Sequence, residues 1–451
     1  MVVNCDAMAV RDASSGYDLQ AAQSAVPVGY KQTELGVIPE DWRIIALSSL
    51  TERGSRITYG VVKPGKNDPN GVLFIRGGDV YGGKILEDQL RRISEDISNE
   101  YKRTRLSGGE LLISLVGYPG EVSLVPSHFA GANIARQVAL VKLDADTKLS
   151  SEYICSFLRS TFGRKQLLKE ALGSAQQVIN LKDVSKVEVI LPSNIVEQRA
   201  IASALNDVET LLEGLDRLIA KKRDLKQAAM QQLLTGQTRL PGFEGEWTTE
   251  ELGNVTSQCT SGATPYRGRP EFYKGKVKWI SSGELNYCEI FDTNEHISNE
   301  AVIKTNLKVH PAGTFLIAIT GLEAAGTRGA CGIVGSPATT NQSCMAIYPT
   351  DRLQTKYLYH YYVYRGDELA FKYCQGTKQQ SYTAKLVKKL PIDLPPTVKE
   401  QNAIATALSD MDAEIGALEQ RRVKTAALKQ AMMQELLTGR TRLIQPEKAD
   451  V

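Results

Sequence analysis

Metal and redox signatures are missing from this sequence. Its seven cysteines, Cys5, Cys155, Cys259, Cys288, Cys331, Cys344 and Cys374, include no C-x-x-C pair, and their number is odd. The four histidines, His128, His296, His310 and His360, make no metal-type pair with them. This excludes a zinc site and reads as a protein of the reducing cytoplasm, with no metal of its own. No apolar run approaches the ~20 residues of a membrane span, so no membrane partner is expected. The start, MVVNCDAMAVRDASSGYDLQAAQSAVPVG, lacks a basic stretch followed by an apolar core. It reads as a disordered lead-in over residues 1–29, not as a signal peptide. Charge of one sign is also scarce. The net of +3 neither demands nor excludes a nucleic-acid partner.

Catalytic motifs are equally sparse. There is no G-x-G-x-x-G, H-E-x-x-H or G-x-S-x-G. The only Pro-Pro, Pro395-Pro396, is not followed by the aromatic residue that an amino-methyltransferase would need. Gly60 to Asn67 approaches a phosphate-binding loop, but Asn67 stands where Ser or Thr should hold magnesium, and Pro64 interrupts it. Asp144, Asp146 and Lys148 read as a solvated turn rather than a nuclease site. The chain reads as non-catalytic, with no cofactor of its own.

What the sequence has is a duplication. Leu191–Leu240 and Leu394–Leu443 align without a gap at an offset of 203, as between Glu197 and Glu400, with about half the positions identical. Such self-similarity marks duplicated architecture. Asn194-x-x-Glu197 and Thr397-x-x-Glu400 have capping-box spacing, and Gly236 and Gly439 supply stops. Between them apolar residues step by four and three: Ile201, Leu205, Val208, Leu212, Leu215 and Ile219, then Ile404, Leu408, Met411, Ile415 and Leu418. This is a heptad seam. It falters at Lys222 and at Arg422 and resumes through Leu225, Ala229 and Leu233, and through Leu428, Met432 and Leu436. Each helix would be roughly 50–55 Å long at ~1.5 Å per residue. A narrow stripe on so long a helix calls for a partner helix, and the other copy is the obvious one. Copies related by a two-fold axis would lie antiparallel, holding what precedes them at opposite ends of a rod.

The duplication extends beyond the helices. Trp42 matches Trp247, VLFIRGGDVYGGKI (72–85) matches VKWISSGELNYCEI (277–290), and GELLISLVG (109–117) matches GTFLIAITG (313–321). Short β-rich runs at Leu111–Val116, Val138–Val141, Phe315–Thr320 and Met345–Tyr348 precede helical patterns at Ser151–Leu172 and Leu353–Tyr373. The expected fold is therefore α/β (α+β): two pseudo-repeated globular units, 30–190 and 241–393, alternating with the repeat helices 191–240 and 394–443, and a tail over 444–451. The helices kept their residues while the globular units diverged, which suggests two reading heads with different targets.

Basic and polar residues recur in Gly-flanked loops of both heads. Lys and Arg suit phosphates, whereas Asn, Gln and Arg can read base edges. The candidates are Arg76, Tyr81, Lys84, Tyr118, Arg136, Gln137, Gln176 and Gln177 in the first head. In the second they are Ser281, Asn286, Tyr287, Arg328, Asn341, Gln342, Gln379 and Gln380.

The opening YKQTELGVIPEDW, the paired EQ-x-AIA-x-AL helix starts and the LLTG-x-TRL endings, in this order, resemble the specificity subunits (HsdS) of type I restriction–modification systems, over residues 30–443. The resemblance implies two target recognition domains, each reading half of a split duplex DNA sequence. It implies an antiparallel coiled coil that spaces them and docks two modification subunits, which bind S-adenosylmethionine and methylate adenine. Restriction subunits would add ATP- and magnesium-dependent translocation and cleavage. The rival reading of the same features is a coiled-coil scaffold that reads no DNA.

Overall fold

The computed structural model describes residues 26–144, 148–169, 178–322, 328–374 and 381–444. The expected lead-in up to residue 25, and the tail from 445, lie outside them. The described residues divide into two compact units, one holding 26–215 with 421–444 and the other holding 216–420.

In the first unit a four-stranded antiparallel sheet runs in the order Val122–Leu124, Leu111–Ser114, Val138–Val141, Thr58–Tyr59. Alternate side chains of a strand face opposite ways. Accordingly Leu111 and Ile113 join Tyr153 and Phe157 on one face, while Leu112 joins Ile75 and Phe129 on the other. A strand buried on both faces needs a continuous apolar run, which LLIS and VALV provide. The second layer is a three-stranded sheet, Asn133–Ile134, Val72–Ile75, Arg91–Ile93, whose first pair is parallel. The helix expected over Ser151–Leu172 is broken into Ser151–Arg159 and Thr161–Leu168. Ser160 between them is extended, and its hydroxyl accepts the Gly163 N–H at 3.3 Å. A serine that can cap a new helix competes with continuing the old one.

The second unit repeats the order of these strands and adds one more, Cys288–Ile290, parallel to Cys331–Val334. Thr256–Ser261, Cys344–Pro349, Phe315–Ala318, Cys331–Val334 and Cys288–Ile290 form one sheet, and His296–Ile297, Val277–Ile280 and Thr339–Thr340 the other. The tyrosine-rich helix Thr355–Tyr373 buries Tyr357, Tyr361 and Tyr362. The Tyr357 hydroxyl donates to the Asp393 carbonyl at 2.6 Å.

Two helices of 39 residues, Ile195–Leu233 and Val398–Leu436, begin and end at matching repeat positions. Each is about 58 Å long at ~1.5 Å per residue. Gly236 and Gly439 follow them with φ of 70°, the left-handed stop expected of glycine. The first unit takes helix residues 195–215 and 421–436, and the second takes 216–233 and 398–420. Ile201, Leu205, Leu215, Ile219, Ile404, Leu408 and Ile415 are buried, and Val208, Leu212, Met411 and Leu418 half-buried. Beyond Lys222 and Arg422 the stripe departs from expectation. Leu225 and Leu428 are 47% and 55% exposed, whereas Ala229 and Met432 are half-buried and Leu233 and Leu436 buried as expected. The seven-residue register itself continues: Lys226 and Leu233, seven and fourteen residues after Ile219, and Thr425, seven after Leu418, are buried, so Leu225 and Leu428 lie beside the seam and not on it.

The two Glu residues read as capping-box members do another job. Thr397 Oγ1 does accept the Glu400 N–H at 3.2 Å, but the Glu400 carboxylate turns to Arg239, with Nε–Oε1 2.5 Å and Nη2–Oε2 2.7 Å. Glu197 is held alike by Arg442, at 2.5 and 2.8 Å, and by Trp42 Nε1 at 3.2 Å. Glu197 and Glu400 are 1% and 0% exposed. A buried carboxylate needs such a fork of donors. Arg442 also meets Asp41 through two bonds of 2.9 Å. Each unit thus ties the start of one long helix to the TRL segment that follows the other. The neighbouring Gln198 and Gln401 accept the Ser150 and Gln354 N–H groups, each at 2.9 Å.

Candidate nucleic-acid interface

In the first unit several of the expected side chains converge beside one short hairpin. The strand Val72–Ile75 ends at Arg76, and a turn at Gly77–Asp79 leads into the hairpin Val80–Tyr81/Lys84–Ile85. Arg76 is fixed by Asp79, Nε–Oδ2 3.0 Å and Nη2–Oδ1 2.9 Å, and donates to the Gln89 carbonyl at 3.2 Å. The Asp79 hydrogen bond raises the guanidinium's already high pKa further, so it stays charged. A cleft of about 630 Å³ brings Arg76, Gln89 and Gln137 together. Arg136, next along, is exposed, and its guanidinium has no partner among the described residues. Tyr81 and Tyr118 are exposed, with their rings in tilted contact. Lys84 pairs with Glu213 at 2.6 Å. Gln176 and Gln177 lie outside the described residues.

A second cavity of this unit, about 440 Å³, lies against the helix segments. Its charges answer one another. Lys429 pairs with Glu209, which Arg159 also approaches at 3.5 Å. Burial, with Arg159 adding to it, holds the Lys429 ammonium down to about 8. The Cys155 thiol in its wall is pushed up to about 11 by burial. These are mutually satisfied groups; the cleft beside the hairpin is likewise lined by Asp79 and Asp88 beside Arg76, so neither cavity is a ready-made anion site.

The second unit places the equivalent turn at Ser281, whose N–H and hydroxyl both donate to Glu284 Oε2, at 2.8 and 2.7 Å. Asn286 is exposed and donates to the Gly283 carbonyl at 3.3 Å. Tyr287 has φ of 57°, and its hydroxyl donates to the Arg328 carbonyl at 3.3 Å. Burial pushes that phenol up to about 12. Arg328 pairs with Asp367 at 3.1 Å and stacks on Phe371. Asn341 Oδ1 accepts the Ser343 N–H at 2.9 Å. Gln342 is exposed and meets Thr264. Gln379 and Gln380 lie outside the described residues.

Sequence reasoning did not find Arg267, which lies over Tyr273 at 4.2 Å and Trp279 at 5.3 Å and pairs with Glu295. Nor did it find Glu121, which with Arg164 braces the first hairpin from behind. Such partners are far apart in sequence and carry no local signal. Among the described residues no group of three or more His, Cys, Asp or Glu could hold a metal ion. None of the described helices is long and apolar enough to cross a membrane.

The family model described as the type I restriction modification DNA specificity domain matches residues 39–221 and again 244–426. The EcoBI specificity subunit of Escherichia coli is 26% identical over 231 residues, 50% of this chain and 47% of that protein. The MjaX specificity subunit of Methanocaldococcus jannaschii is 23% identical over 436 residues, 92% of this chain and 97% of that one. The chain thus spans about half the length of EcoBI and almost all of MjaX. Among solved structures, the S subunit of a type I system from M. genitalium superposes with a TM-score of 0.57 at 15% identity, covering 88% of this chain and 96% of its own. A chain from work on complex assembly and conformational transition of the type I R-M system gives 0.56 at 18% identity, covering 90% and 99%. With two copies of the domain occupying most of its length, the chain belongs to the type I restriction–modification DNA specificity family.

Proposed function

We infer that this chain is the DNA sequence-specificity subunit of a type I restriction–modification complex, itself non-catalytic, reading a split duplex target with its two heads. The observation that carries this is the pair of heads with one order of shared strands and different polar side chains at the same turn, each inside a matched specificity domain. Residues 30–190 and 241–393 act as the recognition domains. The two long helices pair as an antiparallel coil that docks two modification subunits and, through them, restriction subunits. Supporting the antiparallel sense are Arg223–Glu419 and Lys226–Asp412, where partner numbers fall as helix numbers rise. Lys429–Glu209 is the same pair with the copies exchanged. S-adenosylmethionine, ATP and magnesium belong in this reading to the partner subunits, and the complex works in the cytoplasm.

The test is a genome-wide map of methylated adenines in cells expressing the partner modification subunit, with and without this chain. A split motif that appears only with the chain is the expected result. Methylation that ignores the chain, given an active modification subunit, would refute it and leave the scaffold reading.

A further inference from the structure

The hairpin tip of the first unit carries chemistry the fold does not need. Tyr81 and Tyr118 are 50% and 47% exposed, with ring centroids 4.5 Å apart and planes inclined by 46°. Neither hydroxyl has a hydrogen-bond partner among the described residues. Everything behind the rings is fixed. Gly82 and Gly83 both take positive φ, 60° and 81°, in the two-residue turn that suits a twisted hairpin. The Gly82 N–H donates to Glu121 Oε2 at 2.9 Å, and Arg164 Nη1 donates to the other oxygen at 2.6 Å. Ser123 Oγ donates to the Gly83 carbonyl at 3.2 Å, and Arg159 to that of Gly82 at 3.3 Å. The turn is thereby tied to the loop that bears Tyr118, and the Glu121 charge is neutralised on the inner side. Two rings held together in water are an apolar surface prepared for a partner, with little ordering left to do on binding.

The aligned segment of the second unit forms no such hairpin and has a different outward chemistry. Asn286 stands where Tyr81 does, exposed and polar, and Tyr287 replaces Gly82. Tyr287 is held inward: its N–H donates to the Cys331 carbonyl at 2.9 Å, and its own carbonyl accepts the Tyr359 hydroxyl at 2.6 Å. The tip differs in its backbone as well: the first unit pairs Val80–Tyr81 with Lys84–Ile85, whereas in the second Cys288–Ile290 pairs in parallel with Cys331–Val334, so the two heads present different surfaces at this aligned position.

We propose that the Tyr81–Tyr118 pair is a base-reading platform that receives the C5-methyl group of a thymine in the half-site of the first head. This rests on the DNA-reading function above. The methyl group is the distinctive apolar feature that thymine displays in the major groove. Ring carbon recognises it without leaving a polar group unsatisfied.

The experiment uses the chain complexed with its modification subunits and synthetic duplexes of the mapped target. Each thymine is replaced in turn by deoxyuridine, which removes only the methyl group. One replacement in the first head's half-site should lower methylation kcat/KM about three- to ten-fold, the order expected for one buried methyl group. The double variant Tyr81→Ala, Tyr118→Ala should treat thymine and uracil duplexes alike at that position, while the other half-site behaves as before. Tyr81→Asn, carrying the second unit's residue, gives the same readout if the double variant fails to fold. Unchanged discrimination in the variants, or no methyl effect anywhere in that half-site, overturns the proposal. If the chain directs no methylation on any duplex, it is the DNA-reading function that fails, and the proposal with it.

Discussion

Removing Arg442 should be among the most damaging single changes in the first unit. Its guanidinium forks onto Glu197, which is 1% exposed, and onto Asp41, and it lies 5.6 Å from the centre of the Trp42 ring. Both carboxylates raise its pKa, opposing the burial that lowers it, so the charge is secure. Arg442→Ala leaves the Glu197 carboxylate with Trp42 Nε1 and no cation. Stranding a buried charge costs about 3–5 kcal/mol. Glu197→Gln should cost less, about 1–3 kcal/mol, because Arg442 keeps Asp41 and the amide still accepts from Trp42. The two changes share one interaction, so the double variant should fall short of their sum by about 1–3 kcal/mol. Urea unfolding with a constant m-value measures all three. In thermal unfolding the single Arg442 change should lower Tm by roughly 2–4 °C per kcal/mol. A cost below about 1 kcal/mol, or strict additivity, would refute the view that this pair is a buried clamp.

Acid should loosen the second unit through His360, which burial, helped by Lys226 and Lys356, holds down to about 3. Asp412 lies 4.0 Å from Nδ1 but is already engaged by Lys226. The unfolded chain binds this proton near pH 6.5 and the folded chain does not, so stability is lost as pH falls from about 6.5 towards 3, at up to ~1.4 kcal/mol per pH unit. His360→Gln should flatten that slope, and an unchanged slope in urea titrations at several pH values would count against it. Replacing residues 30–172 with another head should change one half of the methylated motif; a change in both halves, or in neither, refutes the two-head reading. Lys226→Glu should weaken folding, and adding Asp412→Lys should restore part of the loss; no restoration would show that the pair does not couple. Native protein should leave Cys155 unlabelled by a thiol reagent at neutral pH, since burial keeps that thiol protonated; rapid labelling would contradict its burial.

The repeat, the long helices and their stops were legible because they are local and periodic. A seven-residue stripe, a glycine after LLT and an offset of 203 are visible along the chain. The strands LLIS and VALV were legible for a similar reason, since burial on both faces leaves an unbroken apolar run. Where several local signals competed, sequence reasoning faltered. Ser160 ended a helix that the pattern around it would have continued, and the apolar Leu225 and Leu428 face outward because the buried register passes through the polar Lys226 and Thr425. Glu197 and Glu400 looked like caps because capping depends only on neighbours three residues apart, whereas Arg442 is 245 residues from Glu197. The candidate reading residues divide in the same way. Composition singled out Arg76, Tyr81, Tyr118 and Asn286, but whether a side chain faces solvent or is claimed by Asp79, Glu121 or Arg164 depends on contacts across the fold. Covalent order determines periodicity and repeats, while the choice of partner for each charge and ring is made only when distant segments are brought together in space.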